Sequence, residues 1–191
     1  MTKKPISFEE LSHLQKQPLL DVVFKAAAIH REHHKSNAVQ LCTLLSIKTG
    51  GCSEDCSYCP QAARYHTDIK KHKLLTVETV LSEAKKAKEN GSTRFCMGAA
   101  FREVKDNADF DHIIDMVRGV KQLGLEACCT LGMLNKEQAL RLKDAGLTAY
   151  NHNLDTSEDH YDNVIKTIRN EKNIYFCYLT DDNKSKTFLT L

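Results

Sequence analysis

Three cysteines, Cys52, Cys56 and Cys59, stand in a C-x3-C-x2-C spacing inside the stretch SIKTGGCSEDCSYCPQ at residues 46–61. Thiols this close in sequence share a target only where the chain between them bends, because a regular helix or strand fixes their directions. The segment is polar and opens on Gly50-Gly51, so it is expected to be a loop that brings the three thiolates to one metal centre. A closed structural zinc site takes four ligands, commonly as two separated pairs, and no second C-x-x-C pair occurs elsewhere in the chain. A cubane iron–sulfur cluster normally takes four cysteines. Three therefore leave one iron for a ligand that is not protein.

The chain after this loop repeats one pattern. KENGSTRFCMG, KQLGLEACCTLG and KDAGLTAYNHN each read as a lysine-bearing helix end, a glycine (Gly91, Gly124, Gly146) and a short apolar strand that runs into potential ligands. Glycine just past a helix closes its last turn in the left-handed conformation, and lysine there suits the negative end of the dipole. Apolar residues at helical spacing predict helices over 76–90, 110–123 and 136–145, the last opened by a capping box from Asn135 to Gln138. With a first strand over 39–47, the alternation predicts parallel strands joined by right-handed helical crossovers. A doubly wound sheet also fits this alternation. The polar residues favour a barrel of TIM type, since the cysteine loop, Cys96, Cys128 and the run 151–155 all follow or close strand carboxyl ends, the active face of such a barrel. A full barrel needs roughly 250 residues, so about half of one is expected here. Ahead of it, 8–15 and 19–34 read as two helices separated by Pro18, with Leu20, Val23, Phe24 and Ala27 as a packing face. His30, His33 and His34, at a charged helix end, are read as solvated rather than as ligands.

Composition narrows the function. The 191 residues are 41% hydrophobic and 27% charged, enough for a folded core, and the net charge of +2 gives no field that selects nucleic acid or an anionic membrane. The first 17 residues carry neither a signal-peptide nor a transit-peptide pattern, which makes the cytoplasm the expected location. Eight cysteines in such a chain are read as reduced thiols and metal ligands rather than a disulfide framework.

The cysteine spacing with Tyr58 just before the last thiol resembles the cluster loop of the radical S-adenosylmethionine enzymes. The longer run TLLSIKTGGCSEDCSYCPQAARY, then GSTRFCMGAA, GLEAC and YNHNLDTS, is similar to the biotin synthase family within them, over about residues 18–167. That resemblance implies that Cys52, Cys56 and Cys59 ligate a 4Fe-4S cluster whose open iron is chelated by S-adenosylmethionine, and that cleavage of this cofactor yields a radical able to take hydrogen from an unactivated carbon. It implies that Tyr58 packs against the adenine, that Asn153 and Asp155 meet the cofactor, and that Asn153, Lys48 and Asn151 hold dethiobiotin. The alternate spacing of Asn151, Asn153 and Asp155 puts them on one side of an extended segment. Read without the family, the same run is a polar strand-to-helix turn with Asp155 or Ser157 as a cap. Cys96 and Cys128 match the ligands of a second, 2Fe-2S cluster; periodicity does not choose between Cys128 and Cys129, and the GLEAC context does. Flavodoxin or ferredoxin as electron donor, and a homodimer, are further implications of the resemblance.

The resemblance organises the chain as a helical extension over 1–38, a half-barrel over 39–167 and a tail over 168–191. At the tail the family's Thr-Arg pair reads Thr167-Ile168 and no arginine follows Arg169. A frameshift or disrupted gene gives this appearance, with Cys177 in an apolar run over 174–179 as its one further thiol. The chain is accordingly expected to be a truncated biotin synthase, inactive as it stands. Two alternatives stay open: another radical S-adenosylmethionine enzyme, or a small iron–sulfur or zinc protein without catalysis.

Overall fold

A computed structural model describes residues 6–153 and 155–165. The chain divides into two compact units, one up to Val39 and one from Gln40 on. In the first, helix α1 (Phe8–Gln15) opens on a capping box, Ser7 Oγ accepting from Glu10 N at 3.1 Å and Glu10 Oε2 accepting from Ser7 N at 2.7 Å. Pro18 then sits at the N-cap of α2 (Leu19–His33), where its missing N–H costs nothing. Neither helix buries a residue, and Leu20, Val23 and Phe24 are exposed. The packing face expected for α2 is thus not enclosed by its own unit. Two short helices hold too little chain to surround an apolar stripe.

The second unit alternates strand and helix. Its elements are β1 (Cys42–Lys48), α3 (Val77–Glu89), β2 (Arg94–Ala99), α4 (Ala108–Gln122), β3 (Glu126–Thr130), α5 (Lys136–Asp144) and β4 (Leu147–Tyr150), followed by a 3-10 turn (Glu158–His160) and α6 (Tyr161–Val164). Each long helix starts where a side chain caps it: Thr76 for α3, Asn107 for α4, and Asn135 with the reciprocal Gln138 for α5. Each of these helices ends at a glycine with positive φ, Gly91, Gly124 and Gly146 in turn. β1 begins at Cys42, later than the expected residue 39, because residues 39–41 make no strand pairing.

All four strands are parallel and lie in chain order, β1-β2-β3-β4. A doubly wound sheet reverses its order at a switch point, whereas strands added always on the same side curl toward a barrel. Burial agrees with the second arrangement. Phe95, Met97, Ala127 and Cys129 point into one core with Val80, Ala84, Phe110, Ile113 and Val117 of α3 and α4. On the other face Leu44 is 71% exposed and Cys42 is open. One covered face and one open face, over four strand–helix units, make a partial TIM-type barrel. No helix among the described residues is long and apolar enough to cross a membrane.

Candidate functional site

The loop after β1 is shaped by its own backbone. Cys52 N donates to Gln61 O at 3.1 Å and Cys52 O accepts from Ala63 N at 2.7 Å, so the loop returns beside its own start. Within it Cys59 N donates to Cys56 O and Ala62 N to Cys59 O, tight turns that bring the second and third thiols close. Gly50 N donates to the Gln61 side chain at 3.1 Å and clamps the loop's two ends. All seven described cysteines are free thiols.

Cys59 lies within electrostatic reach of both Cys52 and Cys56. Among the described residues, however, no group of three or more His, Cys, Asp or Glu side chains could hold a single metal ion. A closed tetrahedral zinc site takes four ligands with its sulfurs about 2.3 Å from one point, whereas a cluster of several irons takes its cysteines around a larger body and can leave one iron to a ligand that is not protein. The residues present therefore fit a polynuclear cluster better than zinc. Burial pushes the Cys52 thiol up, and burial with the Asp155 and Glu54 carboxylates pushes Cys56 up to about 12. A bound metal reverses that preference, since ligation requires thiolate.

Two acids between the cysteines are buried, which the sequence reading did not anticipate. Asp55 accepts from Arg64 at 2.9 Å, and the Asp55 carbonyl accepts from Tyr65 Oη at 3.2 Å. Glu54 is 6% exposed; its Oε1 accepts from Asp55 N at 3.0 Å and its Oε2 lies 3.3 Å from Arg102 Nε. Burial pushes the Glu54 carboxyl up, while the Asp55 amide and Arg102 pull it down. Acids set among clustered thiols gather negative charge, and the available signal in the sequence was the need of such acids for a cationic partner.

The loops after successive strands are tied to one another. Arg102 O accepts from Met133 N at 2.9 Å and Val104 N donates to Met133 O at 3.0 Å, joining the loops after β2 and β3. Tyr150, at the end of β4, donates from Oη to Gly132 O at 2.5 Å and accepts there from Leu131 N at 3.1 Å. Gly132 has φ +79, and a Cβ there would stand 2.4 Å from Arg102 O. Lys48 Nζ donates to Gly50 O at 3.0 Å and Ala100 O at 2.8 Å and lies 5.0 Å from the Phe101 ring centroid. It lines a cavity of about 470 Å³ with Gly51, Ser53, Arg102, Asn107 and Phe110.

The predicted residues at 151–155 separate into two groups. Asn151 Nδ2 donates to Asn153 Oδ1 at 3.3 Å, and the Asn151 backbone N–H donates to Cys129 O. Asp155 accepts from Tyr58 Oη, and its other oxygen accepts from Tyr161 Oη at 3.4 Å. Strand β4 stops at Tyr150, just before this run. The cysteine loop also reaches this end of the chain through Ser57 N donating to Val164 O at 2.9 Å.

On the open face of the sheet, Cys96 and Cys128 are register partners on β2 and β3 and their thiols are hydrogen-bonded. That bond from Cys128, with Arg94 nearby, holds Cys96 down to about 7, and its donor Cys128 is pushed up. Arg94 is itself paired with Glu126 at 2.6 Å. Cys129 is fully buried on the helix side. The structure thus separates the two adjacent thiols that periodicity left equivalent. Ile168, Arg169 and Cys177, with the apolar run 174–179, lie outside the described residues.

A family model of the Radical SAM superfamily matches residues 46–188, three-quarters of the chain. The chain belongs to that superfamily. It is 67% identical over 159 residues to a biotin synthase of Cytophaga hutchinsonii, an alignment covering 83% of this chain and 47% of the relative. A biotin synthase of Myxococcus xanthus is 62% identical over 161 residues, 84% of this chain and 46% of the relative. One of Flavobacterium johnsoniae is 52% identical over 190 residues, all of this chain and 51% of the relative. The chain spans about half the length of the curated relatives it matches. The superfamily match and the last alignment both run past Thr167, into the segment 168–191 that the sequence reading set apart.

Proposed function

We propose that this radical SAM chain carries the cofactor-cleaving half-barrel of a biotin synthase, acting in the insertion of sulfur between two saturated carbons of dethiobiotin. In this reading Cys52, Cys56 and Cys59 hold a 4Fe-4S cluster, and Tyr58, Asn153 and Asp155 contact S-adenosylmethionine. Cys96 and Cys128 supply two ligands of a 2Fe-2S cluster. When bound, cluster and cofactor supply one-electron cleavage and hydrogen abstraction from unactivated carbon; flavodoxin or ferredoxin is the class of electron donor.

The protein's own contribution is position. Tyr58 and Asp155 stand together at the rim beside Cys56, so an adenosine lying over the Tyr58 ring has a carboxylate at hand for its ribose hydroxyls. Asn151 and Asn153 each offer one donor and one acceptor, the complement of a cyclic urea. Lys48 has three ammonium protons; two go to Gly50 and Ala100, and the third is directed to substrate. Cys96 and Cys128 sit on the open face of the sheet, separate from the cysteine loop, which supports two clusters with different tasks.

The observation that carries this reading is the meeting of the cysteine loop with Asp155, 97 positions away, through Tyr58. The high identity to biotin synthases over the same segments supports it. We further propose that the 191-residue polypeptide alone does not complete biotin formation, as a homodimer or otherwise, because the family resemblance implies a third cysteine and an arginine for the second cluster and the described residues offer only Cys96 and Cys128. Expression in a strain lacking its own biotin synthase tests this. No growth without biotin is expected beside a growing control that carries a full-length relative; robust growth overturns the proposal of incompleteness.

A further inference from the structure

Glu54 is a carboxylate inside a loop that already concentrates three thiols. It is 6% exposed, and among the described residues its Oε2 takes no hydrogen bond apart from the ion pair at 3.3 Å with Arg102. Its Oε1 accepts from Asp55 N, which fixes the turn between Cys52 and Cys56. Little water reaches this group to stabilise its charge, so the Asp55 amide and the Arg102 guanidinium compensate it.

The two buried acids differ in what they reach. Asp55 pairs with Arg64, nine positions on and within the same loop. Arg102 lies in the loop after β2, and its backbone is anchored to the loop after β3 through Met133, beside a Gly132 that has no room for a Cβ. Asp55 closes the cysteine loop on itself, whereas Glu54 registers it against the sheet.

We propose that Glu54 and Arg102 are a positioning pair that holds the Cys52-to-Cys56 limb in place for cluster assembly, without either side chain being a ligand. The inference rests on the reading of Cys52, Cys56 and Cys59 as cluster ligands. It makes Arg102 a functional residue of the loop after β2 and gives the acid of the C-S-E-D-C sequence a task. Removing Arg102 leaves the buried Glu54 carboxylate without its guanidinium, while neutralising both at constant shape removes the conflict. The pair should therefore show coupling, not two additive losses.

The test is anaerobic reconstitution of the full chain with iron and sulfide, comparing Arg102→Met, Arg102→Lys, Glu54→Gln and the double variant E54Q/R102M. Iron and sulfide per chain, the spectrum of the reduced cluster and the unfolding temperature of the metal-free chain are read together. Arg102→Met is expected to lose about two-thirds of its four-iron signal, with the remaining iron in smaller clusters, since a displaced limb costs a ligand. Arg102→Lys should lose about half of that amount, because lysine keeps the charge but not the fork. E54Q/R102M should recover most of the signal. If Arg102→Met does not fold, Glu54→Gln and the double variant carry the test, the double variant taking up at least as much iron as the single. Four-iron spectra of unaltered intensity in Arg102→Met overturn the inference. So does iron loss that tracks the metal-free unfolding temperature across all variants, which marks a merely structural pair. If the unaltered chain assembles no cluster, the parent reading falls and takes this inference with it. A cluster in the unaltered chain with no response to the variants removes the inference alone.

Discussion

The Tyr58 hydroxyl donates to Asp155 Oδ1, joining a residue between two cysteines of the loop after β1 to one beyond β4. The proposed cofactor needs both, the ring for its adenine and the carboxylate for its ribose, so the bond must yield when the cofactor binds. Tyr58→Phe keeps the ring and releases the carboxylate, and is expected to change affinity for S-adenosylmethionine by less than about threefold. Tyr58→Ala removes the ring and should weaken binding about tenfold, the size of a stacking contact of roughly 1–1.5 kcal/mol. Titration calorimetry on reconstituted protein checks the pair; equal effects would remove the stacking role.

Asp155→Asn keeps the shape and deletes the charge. A hydrogen bond to a charged group contributes about 1.5–3 kcal/mol, so cofactor affinity should fall at least about tenfold while iron content stays at the level of the unaltered chain. Loss of iron in this variant would instead make Asp155 part of the cluster's support.

Cys96→Ala or Cys128→Ala should leave the four-iron signal and its response to S-adenosylmethionine unchanged, because these thiols are register partners on β2 and β3 and do not belong to the loop. Cys56→Ala should abolish the four-iron signal. Iron and sulfide analysis beside electron paramagnetic resonance decides both. Loss of the cofactor response in Cys96→Ala would contradict the division into two sites.

Two substitutions test the scaffold by urea denaturation. Gly132→Ala forces φ +79 on a residue with a Cβ and puts that atom 2.4 Å from Arg102 O, so a loss of about 2 kcal/mol or more is expected. Asn135→Ala removes half of the capping box on α5 and should cost about 1 kcal/mol.

The helical core was legible because its signals are local. Thr76, Asn135 and the three glycines mark helix ends through their own backbone chemistry, and the structure uses them so. Helix α4 begins at Ala108 rather than 110 because the Asn107 side chain caps it, a signal the apolar spacing alone does not carry. The barrel-type winding was visible only as a preference, since alternation of strand and helix is common to both α/β windings and strand order is a long-range property. Cys128 could be told from Cys129 by resemblance but not by period, whereas register with Cys96 settles which thiol faces the open side. Glu54, Arg102 and Tyr150 were missed because their roles depend on partners distant in sequence, the nearest 18 residues away. Asn151 and Asp155 were grouped as one side of an extended segment; β4 itself ends at Tyr150, and the contact of Asp155 with Tyr58 is a long-range one that spacing does not carry.

The central claim is that the cysteine loop holds a cluster with one iron open to S-adenosylmethionine. Its most direct measurement is electron paramagnetic resonance of the anaerobically reconstituted and reduced chain, with and without S-adenosylmethionine. The account predicts a four-iron signal whose shape changes on addition of the cofactor and which is absent in Cys56→Ala. A bound zinc without a signal, or a four-iron signal indifferent to the cofactor, would contradict it.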